Sequence, residues 1–333
     1  MDKQSNNKKI LFLYTGKHPV HMAFAKEIGA DIQKLSWKVP KGYDIYLSEG
    51  DYAKLSLLRA TGSIPSKSKI IILFSDPRLF YLNSKQLFNE KKYNIKNNSK
   101  IKRLTAKFLL SKVDGVLCGS PLEQELFKKL GLRVPSKIIY PFISDKRLNT
   151  FKKIKPKLSS NNILFIGNGP DYYYKGIDLL IKTFKIIKND FPKSKLYVLG
   201  EWKVKSEWKI KDVHFEGKKE DFTKYLEGCS LYLHMGRGEA FGVTIIEAMA
   251  AGMPAIVSNI TGAKEVVKRA DPRFIVDLNE GAAARQVKDY FSMNLASKEK
   301  LSKEFRKEAQ KINEQAMLKL FKEQFKLLLG EIN

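Results

Sequence analysis

Short apolar runs alternate with amphipathic stretches along this chain, and the alternation occurs twice. In the first half Ile10–Tyr14, Tyr43–Leu47, Ile70–Phe74, Gly115–Gly119 and Lys137–Tyr140 read as strands, with helices over about His21–Ile28, Lys100–Lys112 and Pro121–Leu130. A brief apolar run followed by a helix-period segment marks a strand, crossover helix and parallel strand. Residues 144–160 lose periodicity, are rich in Lys, Ser and Asn around Pro156, and read as a linker. A second series begins at Ile163–Ile166. It continues through helix Gly176–Lys188, strands Lys195–Leu199 and Val213–Phe215, helix Phe222–Glu227, strand Leu231–His234, helix Val243–Ala251 and strand Ala255–Val257. Residues 281–329 are mostly helical in pattern. The expected fold class is therefore α/β, with two Rossmann-like, doubly wound domains over 1–148 and 161–310 and a linker over 149–160. A C-terminal helix over 311–333 is expected to pack back toward the first domain. Two such domains facing each other put a ligand in an interdomain cleft, outside the C-terminal ends of the strands.

Length agrees, since 333 residues suit two domains of about 100–200 each. No apolar run approaches the ~18 residues of a membrane span. The stretch Ile10–Tyr14 after a basic start is too short for a signal-peptide core, so a cytoplasmic location is expected. Cys118 and Cys229 lie in apolar runs and read as free buried thiols. The net charge of +26 has two readings: attraction to nucleotides, anionic lipid headgroups or nucleic acid, or a lysine-rich surface with no partner behind it.

The segment from Gly236 to Pro254 carries the chemistry. A strand ends near His234 or Met235, a glycine-bearing loop follows, and a helix opens at Gly242 or Val243. The first N–H groups of a helix lack intrahelical partners, so those of Gly242, Val243 and Thr244 form a ready phosphate site. Gly242 lets a phosphate approach the backbone closely. Glu247, about a turn into the helix, could accept from the vicinal hydroxyls of a ribose, and Glu239, before the helix, from hydroxyls of whatever the diphosphate carries. A phosphate flanked by two carboxylates describes a nucleotide sugar.

At these residues the chain resembles the family 4 glycosyltransferases. The resemblance rests on Glu239 and Glu247 with seven residues between them (the E-x7-E pattern), Phe241-Gly242, and the run from Glu247 to Pro254. It is supported by Ile163–Gly167 followed by Lys175-Gly176, by the strand ends at Gly200 and Gly217, and by Gly262 with Glu265. It is strong over about 160–270 and weaker over 10–145. The resemblance implies a GT-B fold and retaining transfer from a UDP-, GDP- or ADP-sugar, drawn as front-side attack in which the leaving phosphate helps deprotonate the acceptor. It implies catalytic roles for Glu239, toward the transferred sugar, and Lys175, toward the diphosphate. Glu247 would bind the donor ribose, the amides of Gly242, Val243 and Thr244 its phosphates, and Lys218 its base. Gly16 matches the glycine turn of the donor side in the first domain, and His21 the start of its first helix, a candidate acceptor residue.

Two departures from the pattern stand out. The arginine usual after the glycine at 167 is Asn168 here, and Arg237 is the candidate to compensate. A histidine usual after the strand ending at Phe74 is replaced by Ser75 and Asp76, with Asp76 open between an acceptor-site base and a turn residue before Pro77. No Asp-x-Asp stands at a strand end and no His, Cys or Asp cluster has ligand spacing, so no metal and no cofactor are expected. His214 and His234 read as hydrogen-bonded core histidines.

The helix Lys100–Lys112 sets Ile101, Leu104, Phe108 and Leu109 on one face and Lys100, Lys102, Arg103 and Lys107 around the rest. Covering the sheet with a basic outer face is the favoured reading; docking on an anionic membrane surface, near a lipid-linked acceptor, is the other. The expected partners are thus a nucleotide sugar and a glycan, lipid-linked or small-molecule acceptor. Two other classes compete: another GT-B enzyme such as a nucleotide-sugar epimerase, and a basic nucleic-acid binder. No recognisable nucleic-acid motif supports the latter, and no nucleic acid is expected as a partner.

Overall fold

The computed structural model describes residues 8–74, 100–167 and 172–332. Asp76 and Asn168 lie outside them. The chain divides into two compact units, one of residues 1–141 with 315–333, the other of residues 142–314.

The first unit is built on a six-stranded, wholly parallel sheet ordered β2-β1-β3-β4-β5-β6. Its strands are β1 (Ile10–Tyr14), β2 (Asp31–Lys34), β3 (Ile45–Glu49), β4 (Lys69–Phe74), β5 (Gly115–Cys118) and β6 (Ser136–Ile138). Among the described residues the helices α1 (Pro19–Glu27), α2 (Tyr52–Ala60), α3 (Lys100–Leu110) and α4 (Pro121–Lys129) connect them. The central strands are apolar at nearly every position because helices cover both faces of a parallel sheet. On one face Leu11, Leu13, Tyr46, Leu55, Leu58 and Ile70 join Phe127 in a single core. The C-terminal helix belongs to this unit: Phe321 stacks on Phe24 of α1 at 4.3 Å between ring centres.

Two elements are added here and one expectation is corrected. The strand Asp31–Lys34 and the helix Tyr52–Ala60 went unread, the first because an edge strand of sequence DIQK has no apolar run. The helix over 100–110 forms, but Leu104 and Phe108 are each 59% exposed, so its apolar face does not cover the sheet. The buried side runs through Leu110, with Ala106 partly buried beside it.

The second unit carries β7 (Ile163–Ile166), β8 (Leu196–Leu199), β9 (Val213–Gly217), β10 (Leu231–His234), β11 (Ala255–Ser258) and β12 (Ile275–Val276). Its helices are α5 (Asp145–Phe151), α6 (Ile177–Asp190), α7 (Thr223–Gly228), α8 (Val243–Ala250), α9 (Lys264–Ala270), α10 (Glu280–Ser292) and α11 (Leu295–Gln310); α12 (Glu314–Ile332) returns to the first unit. Within the stretch expected to be an irregular linker, Ser144 accepts from the Arg147 N–H and caps α5. The sheet is again all parallel, ordered β12-β11-β10-β7-β8-β9. Strand order therefore reverses between β7 and β10, and in open α/β sheets ligands bind outside the C-terminal strand ends at such a switch point. The corresponding point of the first sheet lies between β1 and β3.

Candidate functional site

Strand β10 ends at His234, on one side of the switch point, and α8 begins at Val243, so the loop 235–242 sits at the place the topology singles out. The loop is clamped from several directions. Ser258 Oγ donates to the Gly236 carbonyl at 2.6 Å, and the Gly262 and Ala263 N–H groups donate to the carbonyls of Glu239 and Phe241 at 2.8 Å. The Tyr174 hydroxyl donates to the Gly238 carbonyl. On the other side of the switch point Tyr232 Oη and Thr244 Oγ1 both donate to the Ile166 carbonyl, tying the start of α8 to the end of β7. Thr244 thus turns its hydroxyl inward, and only its amide is left for a ligand.

Gly242 caps α8 with φ of +91°, the left-handed region that glycine enters without penalty. The N–H groups of Gly242, Val243 and Thr244 have no partner among the described residues. They form the open positive end of the helix dipole.

Glu239 and Lys175 come together from opposite sides of the switch point. Lys175 Nζ lies 2.6 Å from Glu239 Oε2, and His234 Nε2 lies 3.6 Å from the same oxygen. His234 Nδ1 accepts from the Gly236 N–H at 3.2 Å, so its proton sits on Nε2, facing the carboxylate. Burial alone would raise the Glu239 carboxyl, but the Lys175 ammonium and the His234 ring outweigh it and hold it down at about 2. His234 is therefore more than a packed core residue: its ring stacks on Phe165 and its edge supports Glu239. This role escaped sequence reading, although a histidine ending a strand beside a Gly-rich loop was the available signal.

Glu247, on α8, is 5% exposed and pairs with Arg147, whose Nη2 lies 2.9 Å from Oε1. The second carboxylate oxygen has no partner among the described residues. Burial pushes this carboxyl up to about 7, although Arg147 pulls the other way. The open oxygen of this largely buried carboxylate is an acceptor available to a ligand. Arg147 is a second residue that sequence reading missed, because it lies in the supposed linker.

Arg237 has its guanidinium occupied. It makes a two-pronged pair with Asp178 at 2.7 and 2.8 Å, donates to the Tyr173 carbonyl at 2.6 Å, and lies 3.8 Å above the Tyr173 ring. The expectation that it replaces the missing arginine at 168 has to yield to this structural role. Both partners are largely buried, and breaking such a pair leaves an uncompensated charge. Arg237→Ala should therefore lower the unfolding free energy by about 3–5 kcal/mol in a denaturant titration.

Lys218 follows Gly217 on the exposed rim of β9, beside a pocket of about 500 Å³ lined by Gly200, Glu201, Trp202, Phe215 and Gly217. In the first unit Glu49, also unread from sequence, ends β3 at the switch point. It accepts from the Thr15 and Gly16 N–H groups at 2.9 and 2.8 Å and from His21 Nδ1 at 2.6 Å. The Gly16 amide is thus already engaged. The histidine and the backbone donors outweigh burial and keep the Glu49 carboxyl below its ordinary range. Among the described residues no three His, Cys, Asp or Glu side chains cluster as a metal site, and no helix is long and apolar enough to cross a membrane.

The family model described as "Glycosyl transferases group 1" matches residues 146–312, half of the chain and the whole of the site around α8. The chain belongs to this family. A Haemophilus influenzae relative of the group 1 chain, named an uncharacterized glycosyltransferase, is 26% identical over 219 residues. That match covers 63% of this chain and 60% of the relative, so it spans less than two thirds of the relative's length. Among solved structures, the Anabaena HepE complex with UDP and glucose is similar with a TM-score of 0.69 at 17% identity, covering 97% of this chain and all of that one. The sucrose-phosphate synthase of Thermosynechococcus elongatus is similar with a TM-score of 0.67 at 18% identity, covering 87% of this chain and 75% of that one. These structural likenesses bear on the fold, and they agree with a two-domain GT-B architecture for this group 1 member.

Proposed function

We propose that this group 1 family member is a retaining glycosyltransferase that moves a sugar from a nucleoside-diphosphate sugar to a glycan, lipid-linked or small-molecule acceptor without a metal. The observation that carries the reading is the open mouth of α8. Unpartnered main-chain N–H groups, a buried carboxylate with a vacant oxygen and a lysine-bound carboxylate converge on the one loop at the switch point. In this reading the N–H groups of Gly242, Val243 and Thr244 hold the diphosphate, and Glu247 takes the ribose hydroxyls. The base lies over the pocket near Gly217 and Lys218. Glu239 contacts the transferred sugar. Lys175, with two N–H donors beyond the one it gives Glu239, steadies the leaving phosphate as charge develops. Transfer is front-side, with the departing phosphate oxygen taking the acceptor proton. His21 and Asp76 in the first unit are assigned to the acceptor side, and Gly16 to the donor side. Leu104 and Phe108, exposed on a helix with Lys107 and Lys112 close by, support a peripheral position on the cytoplasmic face of an anionic membrane.

The HepE likeness makes uridine nucleotides the first probes. A hundredfold excess of UDP over its dissociation constant should stabilise the protein by about 2.7 kcal/mol, equally with and without chelator. Glu247→Ala should abolish that stabilisation, whereas Glu239→Ala should keep it and lose the further gain given by the sugar. A thermal-shift series with UDP-, GDP- and ADP-sugars reads all of this, and a flat response to every nucleotide overturns the proposal. Formation of a donor epimer without any transferred product would favour the epimerase reading instead.

A further inference from the structure

Helix α5 lies just inside the second unit, in a stretch with no motif, yet its Arg147 pairs with Glu247, the carboxylate assigned above to the donor ribose. The two sides of this ion pair are built differently. Glu247 is buried to 7% of its side chain, while Arg147 keeps 47% of its side chain exposed. Arg147 is nonetheless held in place, because its guanidinium lies 5.4 Å from the Phe151 ring and 5.5 Å from the Phe222 ring, which stack on each other. A planar cation on aromatic faces has a fixed direction. It engages Oε1 and leaves Oε2 open.

We infer that Arg147 is a positioning residue for donor binding: it favours the ionised form of Glu247 and turns the carboxylate so that its open oxygen accepts the hydroxyls of a nucleoside diphosphate. This rests on the donor-site reading above and extends it to a residue outside the family motif. The chemistry requires such a partner. A carboxyl group in a dry site reverts to its neutral form, which offers one fewer acceptor and places a proton where a ribose hydroxyl must donate. The other ionisable groups around α8 among the described residues cannot replace Arg147. Tyr232, from β10, is a buried phenol pushed above its ordinary range. Arg306, from α11, has its guanidinium on the carbonyls of Ala251, Ile154 and Lys152 at the far end of the helix. Burial still drives the Glu247 carboxyl to about 7 with Arg147 present, so binding should take up the ionised form and release a proton near neutrality.

The test is calorimetric titration of UDP, GDP and ADP from pH 6 to 9 into the full chain, its Arg147→Met and Arg147→Lys variants, and Glu247→Gln. Methionine keeps a side chain packed against Phe151 and Phe222 while removing the charge. The wild-type affinity should rise by about tenfold between pH 6 and 8, following the ionised fraction of a group near 7. In Arg147→Met the affinity at pH 7 should fall by about tenfold or more and recover as the pH is raised, its midpoint moved upward. Arg147→Lys should restore most of the wild-type profile, and Glu247→Gln should bind weakly with no pH dependence. Two outcomes overturn the inference: an Arg147→Met profile equal to wild type, or one lowered by the same factor at every pH, which would mark a lost ligand contact. If the wild type binds none of the three nucleotides, the donor-site reading itself fails, which is a different result from either. If Arg147→Met does not fold, Arg147→Lys carries the test: a profile that keeps both the midpoint and, within a few-fold, the affinity of wild type supports charge-holding, and an affinity lowered by about tenfold or more by the same factor at every pH overturns it.

Discussion

Lys175→Ala is expected to lower turnover by about 10²–10³-fold while leaving nucleotide affinity within a few-fold of wild type. The magnitude is that of removing one preorganised donor from the point where charge develops in a transition state. The split between turnover and affinity follows from geometry. The main-chain N–H groups of α8 and the Glu247 carboxylate are untouched by the change, so the ground-state grip on the nucleotide persists. What is lost is the cation 2.6 Å from Glu239, which in the proposed reading also steadies the leaving phosphate. Steady-state rates with a saturating nucleotide sugar, together with direct nucleotide titration, check both halves; equal losses in both would mean that Lys175 serves binding alone. The same variant has a signature in acid. Glu239 is held below its ordinary 4.5, at about 2, so its ties contribute stability that is complete above about 4.5 and lost as the pH falls toward 2. Without Lys175, among the described residues His234 alone remains on that carboxylate, and the acid dependence of unfolding over this window should flatten.

Gly176→Ala is expected to cost the second unit roughly 4 kcal/mol or more, the range reserved for a small set of identifiable defects. Gly176 caps α6 with φ of +72°, where an L-residue is strained. A Cβ at that position would stand 1.8 Å from the Met235 carbonyl oxygen and 2.3 Å from its carbon. These are backbone atoms in the clamped loop, so no side-chain rotation relieves the collision. The close approach has a purpose: it lets the Lys175 loop lie against the loop that carries Glu239. A comparison at Gly16 separates steric demand from sequence resemblance. A Cβ there meets nothing within 4 Å and φ is not positive, so Gly16→Ala should leave unfolding almost unchanged. Chemical denaturation of the two variants decides the matter, and a Gly176→Ala protein as stable as Gly16→Ala would contradict it.

Much of this molecule is readable before any coordinates are seen. The strands of both sheets announce themselves because strands buried on both faces are nearly continuous apolar runs, as in Ile70–Phe74 and Leu231–His234. Exceptions have local causes. Asp31–Lys34 pairs along one edge only and needs no apolar run, and α5 hides in a segment whose composition resembles a linker. The apolar residues of α3 show a correct helical period that does not say which neighbour they meet, and two of them, Leu104 and Phe108, stay largely exposed.

By itself the sequence determined the alternation of strands and helices, the glycine-bearing loop that ends at a helix start, and the two carboxylates flanking that start. All are consequences of period, backbone freedom and spacing within a few residues. Only the tertiary structure decided what each charge is worth. Lys175 meets Glu239 across 64 residues of chain, Arg147 meets Glu247 across 100, and Asp178 takes Arg237 away from the role its neighbourhood suggested. Proton affinity and electrostatic reach depend on burial and on distances of a few ångströms. Those distances exist only once the two halves of the second sheet have been laid side by side at β7 and β10.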